Sequence, residues 1–375
     1  MILRIEKLQE ACKNILTAVD NNELSAITET LELVTEGTCL FINVTNREYF
    51  AQVRIDLNEE VNLHATVNAT LFLKLISQVT TDTVQLDVKD NYLIVKANGT
   101  YKLPLIFDGE QLLKLPQITI ENVTNEFNID SAILKSILLY NSKELTKGTI
   151  SKPVQKLYYV DQHGAITFTN GACVNSFTLE QPVKLLFNNR LVKLFKLFDS
   201  GSVKFTLGYD SIAEDIVQTK VRFESNNIML TAILSCDDTL LSSVPVNAIR
   251  GRANNMYAYS VNVNKDLLLQ TINRLLLFNS TSGSKEVIKP YSTFEFGKDQ
   301  VTIYDVNKEN KEVISYNNTL LNCDEPYVAI LDLVELKVTL ESCNEQYLNL
   351  NFGDGSAFVL TRGHVANVIP ECRLS

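Results

Sequence analysis

Apolar and polar positions along the chain follow one pattern three times: a strand alternating at every second residue, a polar cap, and a helix with one apolar face. The equivalent residues Ile5, Ile129 and Val263 are separated by 124 and 134 positions, which indicates an internal repeat. The pattern predicts the first helix of each repeat at residues 6–17, 131–140 and 264–275.

Each repeat continues with a second half of the same kind, which predicts helices at 68–79, 188–198 and 332–341 and alternating strands after them. Pairs such as Asn98-Gly99 and Asp354-Gly355 mark tight turns. The predicted fold class is therefore α+β, with three repeated domains at 1–123, 124–254 and 255–375. Each domain is a duplicated unit of one helix plus antiparallel strands. Since no flexible linker separates the repeats, we expect them to pack edge to edge, and a head-to-tail contact that closes gives a ring.

Charge is unevenly distributed over these elements. The six predicted helices hold ten basic and six acidic residues, whereas the chain has a net charge of -10. Lysine favours helix surfaces in any case, but the alternative is a surface that faces a polyanion. Arg190, Lys193 and Lys196 form the clearest basic stripe. The complete basic set on the helices is Lys7, Lys13, Lys74, Lys135, Arg190, Lys193, Lys196, Lys265, Arg274 and Lys337.

Candidate chemistry is sparse. The phosphate-loop, dinucleotide, zinc-protease and serine-hydrolase motifs are missing from the sequence. The segment Asp305-Val306-Asn307-Lys308-Glu309 is predicted to be a hairpin turn rather than a calcium loop. Seven cysteines occur singly and three histidines lie far apart, which argues against a metal site and for reduced thiols. We therefore expect no catalytic residue, no cofactor and no metal. Without an apparent signal peptide or apolar span, a cytoplasmic protein is expected.

The repeat pattern resembles the bacterial sliding clamp, the beta subunit of DNA polymerase III. The resemblance covers nearly the whole chain, and its most specific part is the ending Val368-Ile369-Pro370-Glu371-Cys372-Arg373-Leu374. It implies a processivity factor: a homodimeric ring of six domains with helices inside and sheets outside. Such a ring encircles duplex DNA without reading its sequence, and its partners are the replicative DNA polymerase and the clamp-loader ATPase. The basic helix residues would then face DNA.

The resemblance also implies two protein-binding surfaces. Leu277 and Phe278 match positions that the family buries where domain 3 of one chain meets domain 1 of the other. A groove between domains 2 and 3 would take a short linear peptide, although its apolar residues fit plain core packing equally well. The groove residues carried over are Val154, Thr169, Gly171, Val174, Leu240, Val244, Leu333, Val368, Ile369, Pro370 and Arg373.

The sequence also departs from the family. Residues 169–174 read Thr-Asn-Gly-Ala-Cys-Val where the family has Thr-Asp-Gly-His-Arg-Leu. This difference suggests a divergent clamp, of the kind that a phage or plasmid encodes, with its own partners. The alternative is a repeat-built structural or virion protein without a DNA role. The charge segregation favours the clamp, and a discrete dimer rather than a polymer would separate the two.

Overall fold

The computed structural model describes residues 1–20, 26–147, 150–213, 216–234, 238–279, 290–317 and 325–372. Helices and antiparallel strands alternate along this part of the chain, which confirms the α+β class. The helices are α1 Ile5–Leu16, α2 Ala69–Ser77, α3 Ser131–Ser136, α4 Ser142–Glu144, α5 Asn189–Leu194, α6 Asp238–Ser243, α7 Val246–Ala253, α8 Lys265–Phe278 and α9 Leu333–Glu341. Short 3₁₀ turns span Ala26–Glu29, Pro153–Lys156 and Phe195–Leu197, and a π-helical turn at Ile137–Asn141 joins α3 to α4.

The strands are short and their apolar residues alternate, as a sheet with one face on a core requires. Their bounds are β1 Ile2–Arg4, β2 Thr30–Glu36, β3 Cys39–Thr45, β4 Tyr49–Asp56, β5 His64–Asn68, β6 Thr83–Lys89, β7 Tyr92–Lys96, β8 Thr100–Pro104, β9 Phe107–Asp108, β10 Gln111–Leu112, β11 Asn122–Asp130, β12 Leu157–Asp161, β13 Gly164–Phe168, β14 Ala172–Ser176, β15 Lys184–Asn188, β16 Ser202–Ala213, β17 Ile216–Glu224, β18 Ile228–Ile233, β19 Tyr259–Asn264, β20 Tyr291–Phe296, β21 Gln300–Tyr304, β22 Lys311–Ser315, β23 Tyr327–Asp332, β24 Tyr347–Phe352, β25 Ala357–Arg362 and β26 Val365–Pro370.

A strand leads directly into a helix at each of the six predicted places: β1–α1, β5–α2, β11–α3, β15–α5, β19–α8 and β23–α9. Polar side chains start four of these helices. Asn68 and Asn264 accept hydrogen bonds from backbone N–H groups three residues on, and Asp332 accepts two. Asp130 accepts the N–H of Ala132. These caps satisfy donors that the first helical turn leaves unpaired, which is why each strand ends there.

The chain divides into two compact units. Unit 1 is Met1–Lys135 with Arg190–Ser235, and unit 2 is Ser136–Asn189 with Cys236–Ser375. In unit 1, an eight-stranded antiparallel sheet runs β11-β16-β17-β18-β4-β3-β2-β5, beside a four-stranded sheet β1-β6-β7-β8. In unit 2, an eight-stranded sheet runs β15-β12-β13-β14-β26-β25-β24-β19, beside a four-stranded sheet β22-β21-β20-β23.

Both long sheets join strands from different predicted repeats. In unit 1, β18 pairs with β4 in the register Ile228 with Val53. In unit 2, β14 pairs with β26 in the register Ala172 with Val368. Repeats therefore meet edge to edge through backbone hydrogen bonds, which removes open strand edges at these two places.

Aromatic rings fill the core of each unit. In unit 1, Phe223 lies 5.2 Å from Phe195 and 5.3 Å from Phe205, measured between ring centroids. In unit 2, Phe352 lies 4.4 Å from Phe296 and 4.8 Å from Phe358. Fully buried aromatic side chains contribute large apolar areas to such cores. No helix in the described part of the chain is long and apolar enough to cross a membrane.

Candidate functional site

Unit 2 contains a surface pocket of about 210 Å³ where the β13–β14 turn, helix α7 and the end of β26 come together. A pocket of this size accepts one or two apolar side chains rather than a metabolite. Its lining residues are mainly apolar: Phe168, Thr169, Asn170, Gly171, Ala172, Pro245, Ala248, Ile249, Arg252, Val368 and Pro370.

The close approach of two strands at the pocket requires a glycine. A Cβ atom added to Gly171 would lie 2.5 Å from the backbone oxygen of Val368 and 3.5 Å from Cδ of Pro370. The Val368 oxygen is part of the β26 backbone, which pairs with β14, so it cannot move aside without disturbing that pairing. Gly171 thus belongs to the scaffold that shapes the pocket, in addition to lining it.

Helix α7 forms the opposite wall, and an ion pair fastens it to the sheet. Pro245 precedes its first residue, and the N–H of Ile249 donates to the Pro245 carbonyl. Arg250 donates two hydrogen bonds of 2.8 and 2.6 Å to Asp161 at the end of β12. Burial opposes ionisation of Asp161, but hydrogen bonds from Arg250 and from the His163 N–H outweigh it and lower the pKa of the carboxyl. The pair ties α7 to the end of β12.

A buried ion pair supports the turn on the other side of the pocket. Lys147 donates to Glu144 at 2.6 Å, and both side chains are almost fully excluded from solvent. The hydroxyl of Thr169 donates to the same carboxylate at 2.9 Å, and Gln155 donates to the Thr169 carbonyl. Breaking one member of such a pair leaves an uncompensated charge, so the turn is held firmly.

A second buried carboxyl lies against the turn. Glu335, on α9, is hydrogen-bonded to the side chain of Asn170, while its Oε1 atom has no hydrogen-bond partner. Burial raises the pKa of Glu335, and the hydrogen bond from Asn170 only partly opposes this. The nearby Asp332 also has a raised pKa because of burial.

The predicted groove residues fall into three groups. Thr169, Gly171, Val368 and Pro370 line the pocket. Four residues belong to the apolar cluster of α7 and its sheet: Val154, Val174 and Val244 are buried members, and Leu240 packs against it. Leu333 and Ile369 belong to the neighbouring core cluster of the last repeat instead. Arg373 lies outside the described residues.

Sequence reasoning missed the α7 wall: Pro245, Ala248, Ile249 and Arg252. The sequence pattern for helix α7 was weak, because only eight residues form the helix and Gly251 lowers its helix propensity. The usable sign was Pro245 itself, because proline is tolerated at the start of a helix but not in its interior.

All seven predicted DNA-facing residues of unit 1 are exposed on its helices and on the 3₁₀ turn after α5: Lys7, Lys13, Lys74, Lys135, Arg190, Lys193 and Lys196. Two of them have partners within the unit. Lys135 donates to the Asp199 carbonyl, and Arg190 lies 3.5 Å from Glu48 and 3.9 Å from Asp20. Arg190, the first residue of the basic stripe, therefore has two acidic neighbours from distant segments.

In unit 2, the corresponding cations have local partners. Lys265 lies 3.3 Å from Asp266, Arg274 pairs with Glu312 at 2.5 Å, and Lys337 lies 3.9 Å from Glu341. Each pair involves at least one partly exposed side chain, so it holds the cation weakly and leaves it accessible to another anion.

The predicted dimer residues lie at the exposed end of α8. Leu277 is 71% exposed and Phe278 is 53% exposed. Strand β22, at one end of the four-stranded sheet, packs against this helix through Glu312, which accepts hydrogen bonds from Thr271 and Arg274. Two adjacent large apolar side chains beside a sheet edge are typical of a protein–protein contact.

Among the described residues, no group of three or more histidine, cysteine, aspartate or glutamate side chains is arranged to hold a metal ion. The segment 305–309 lies in the turn between β21 and β22, where Asp305 accepts hydrogen bonds from the N–H of Glu309 and the side chain of Asn310. This confirms the predicted hairpin.

Repeated strand–helix units on long antiparallel sheets define a sliding-clamp fold. The particular fold is that of the bacterial DNA polymerase III beta subunit, and the resemblance predicted from sequence is confirmed at this level. The chain matches the sliding clamp of Pseudomonas aeruginosa bound to griselimycin with a TM-score of 0.77 and 14% identity, over 100% of this chain and 99% of that one.

Two further structures give the same result. The beta subunit of Thermotoga maritima matches with a TM-score of 0.75 and 11% identity, and the sliding clamp of Bacillus subtilis with 0.73 and 15%. Each match covers 100% of this chain and 99% of the other. No protein-family model and no curated protein sequence matches the chain. The fold is therefore retained at a sequence identity that places the chain far from these clamps.

Proposed function

We propose that this protein is a DNA sliding clamp that encircles duplex DNA and tethers a replicative polymerase, with no catalytic activity of its own. The observation that carries the proposal is the match of the entire chain, end to end, to the sliding-clamp fold. A partial match would fit a shared domain, whereas a full-length match preserves the complete repeat arrangement. The three domains would be those predicted, at 1–123, 124–254 and 255–375.

The DNA contact would be electrostatic and independent of sequence. Exposed lysines on α1, α2 and α5 of unit 1 are suited to brief contacts with phosphates, which position a duplex without reading its bases. A chain with a net charge of -10 gains little from static DNA binding. We therefore assign DNA retention to encirclement rather than to affinity.

Encirclement would require a second copy of the chain. The exposed Leu277 and Phe278 support a head-to-tail homodimer, in which the end of α8 packs against the first domain of the partner. Strand β22 is hydrogen-bonded to β21 alone among the described strands. It therefore offers a free edge for pairing across the same contact.

Partner proteins would insert a short peptide into the unit 2 pocket. Its apolar walls and its size fit one or two aliphatic or aromatic anchors, and the buried Glu144–Lys147 pair keeps the β13–β14 turn in place. The polymerase and the clamp-loader ATPase would compete for this pocket.

A threading experiment tests the proposal without a clamp loader. The protein is mixed with a linear duplex, the DNA ends are joined by ligase, and the circles are purified at high salt. A clamp that has slid onto the duplex stays on the closed circle and is released when the circle is cut once. Equal loss from closed and cut DNA would show that the protein does not encircle DNA.

A further inference from the structure

The polar groups at the mouth of the pocket differ in their availability. Thr169 donates its hydroxyl proton to Glu144, and Asn170 is hydrogen-bonded to Glu335. The buried Thr169 hydroxyl is therefore committed to the protein interior, whereas the side chain of Asn170 is exposed. Neither side chain carries a charge, so a charged group of a peptide that enters the pocket must find its partner on another wall.

Helix α7 carries two arginines in its last turn with different surroundings. Arg250 is committed to Asp161 by two hydrogen bonds. Arg252 is exposed and lines the pocket, and no carboxylate in the described part of the chain lies within ion-pair distance of its guanidinium. Arg252 interacts electrostatically with Asp354, and the carboxylate of Asp354 already accepts hydrogen bonds from the N–H groups of Ser356 and Ala357.

The position of Arg252 relates it to the apolar wall. It follows Ala248 by four residues and Ile249 by three, and residues at these spacings are neighbours on a helix surface. All three line the same pocket. A side chain seated against Ala248 and Ile249 therefore has the guanidinium directly beside it.

We propose that the pocket selects partner peptides in which an aspartate or glutamate stands directly beside the apolar anchor, and that Arg252 pairs with this carboxylate. The inference rests on the proposed function of the pocket and adds a specificity determinant to it. Guanidinium binds carboxylates in a fixed bidentate geometry, which suits recognition of one acidic residue. The net charge of -10 repels acidic peptides at long range, so their selection depends on this local cation.

The test is a selection of random octapeptides displayed on phage against the full-length protein and three variants. Arg252→Glu reverses the charge, and Lys298→Glu makes the same charge change at an exposed site of unit 2 outside the pocket. Ala248→Trp fills the pocket from an exposed helix position. Circular dichroism and the oligomeric state confirm that each variant is folded, and Arg252→Gln provides a milder variant.

The wild type and Lys298→Glu should enrich peptides with an acidic residue beside an apolar one, Arg252→Glu should enrich a basic residue there, and Ala248→Trp should enrich neither. Changing the acidic residue of a selected synthetic peptide to its amide should weaken binding to wild type about three- to tenfold, and binding to Arg252→Gln much less. Identical peptides from wild type and Arg252→Glu would overturn the acidic preference and leave the peptide pocket standing. If the wild type enriches no peptides that Ala248→Trp does not also enrich, both the acidic preference and the peptide pocket are overturned.

Discussion

At the scale of single residues, the protein keeps several ionisable groups inside unit 2, and their environments shift their pKa values in opposite directions. Glu335 is buried with one carboxyl oxygen unpartnered, and its pKa is raised. Asp161 is bound to Arg250, and its pKa is lowered. These two carboxyls should therefore give the stability of the protein opposite dependences on pH.

Replacing Glu335 by glutamine should stabilise the protein at neutral and alkaline pH. Because the folded protein holds the Glu335 proton more tightly than the unfolded chain, its favourable contribution is complete below the ordinary pKa of 4.5 and is lost as pH rises through the folded value. Glutamine keeps a partner for Asn170 without the charge. We expect a gain in unfolding free energy of about 1 kcal/mol at about pH 8, and little near pH 4.5. Urea unfolding at both pH values measures it.

Glu309→Gln is the matched control for this change, since Glu309 is exposed in the same unit. It should change the unfolding free energy little at either pH. A Glu335→Gln variant that is less stable than wild type at about pH 8 would mean that the charged carboxylate is stabilising, against the burial argument.

Replacing Asp161 by asparagine should destabilise unit 2 and weaken peptide binding together. The change leaves the partly buried Arg250 without its carboxylate, at a cost of about 1–3 kcal/mol. It also releases the only ion pair found between α7 and the sheet among the described residues. Because the Asp161 pKa is lowered, this stability is present above the ordinary pKa of 3.8 and is lost as pH falls through the folded value. The difference between wild type and variant should therefore shrink in acid.

The exposed pair Arg54–Asp56 in unit 1 provides the comparison, with side chains 48% and 71% exposed. Asp56→Asn makes the same chemical change there, and solvent screening should keep its effect small. Thermal unfolding and peptide affinity, measured for both variants, separate the buried pair from the exposed one. Equal losses in the two variants would contradict the role given to Arg250 and Asp161.

At the scale of elements, helix α8 combines a core face with an exposed end. Leu268, Ile272 and Leu275 are buried in the core, while Leu277 and Phe278 are exposed. The hydrophobic pattern by itself would extend the apolar face to the end of the helix. Only the packed structure separates the core positions of the helix from its exposed apolar positions.

Substituting aspartate for both Leu277 and Phe278 should convert the proposed dimer to monomers. Two charges placed in an apolar contact lose their hydration without gaining a partner, whereas in the free chain they stay in water. Sedimentation velocity at micromolar concentration measures the change. Leu267→Asp is the control, because Leu267 is 52% exposed at the other end of the same helix. A wild-type monomer, or a variant that remains dimeric, would refute the contact.

At the scale of the whole molecule, the helices carry excess positive charge in a chain whose total is -10. The structure shows which of these basic residues can be mutated to test whether DNA passes along the helices. Arg190 is close to Asp20 and Glu48, so a glutamate there would bring three carboxylates together and destabilise unit 1 for local reasons. Lys193 and Lys196 are exposed on the same segment and are better targets.

Reversing Lys193 and Lys196 to glutamate should slow threading onto linear DNA and leave dimerisation unchanged. The duplex would have to pass a field that has become repulsive, and each lost phosphate contact should lower the salt dependence of residual binding by about one unit of slope. The amount of protein captured per minute before ligation measures the rate. Reversing Lys156 and Lys298, which are exposed in unit 2, gives the same net charge and should have a smaller effect. Equal slowing in both would assign the effect to net charge alone.

The sequence by itself determined the repeated units and the class of fold. Helix and strand periodicity, with caps such as Asn264 and Asp332, depends on neighbours within a few residues, so it can be read from the chain directly. The six strand–helix junctions follow from these local rules. The resemblance to sliding clamps arises from the same periodicity.

Tertiary structure alone decided the strand pairing between repeats and the composition of the pocket. Ala172 faces Val368 across 196 positions of sequence, and no local pattern encodes that pairing. Gly171 has no positive backbone angle and is needed only because β26 passes close by. Asp161 binds Arg250 rather than Arg252, and only its position in the folded protein decides this. Such contacts join residues far apart in the chain, and their energies are set by packing that the linear order of residues does not show.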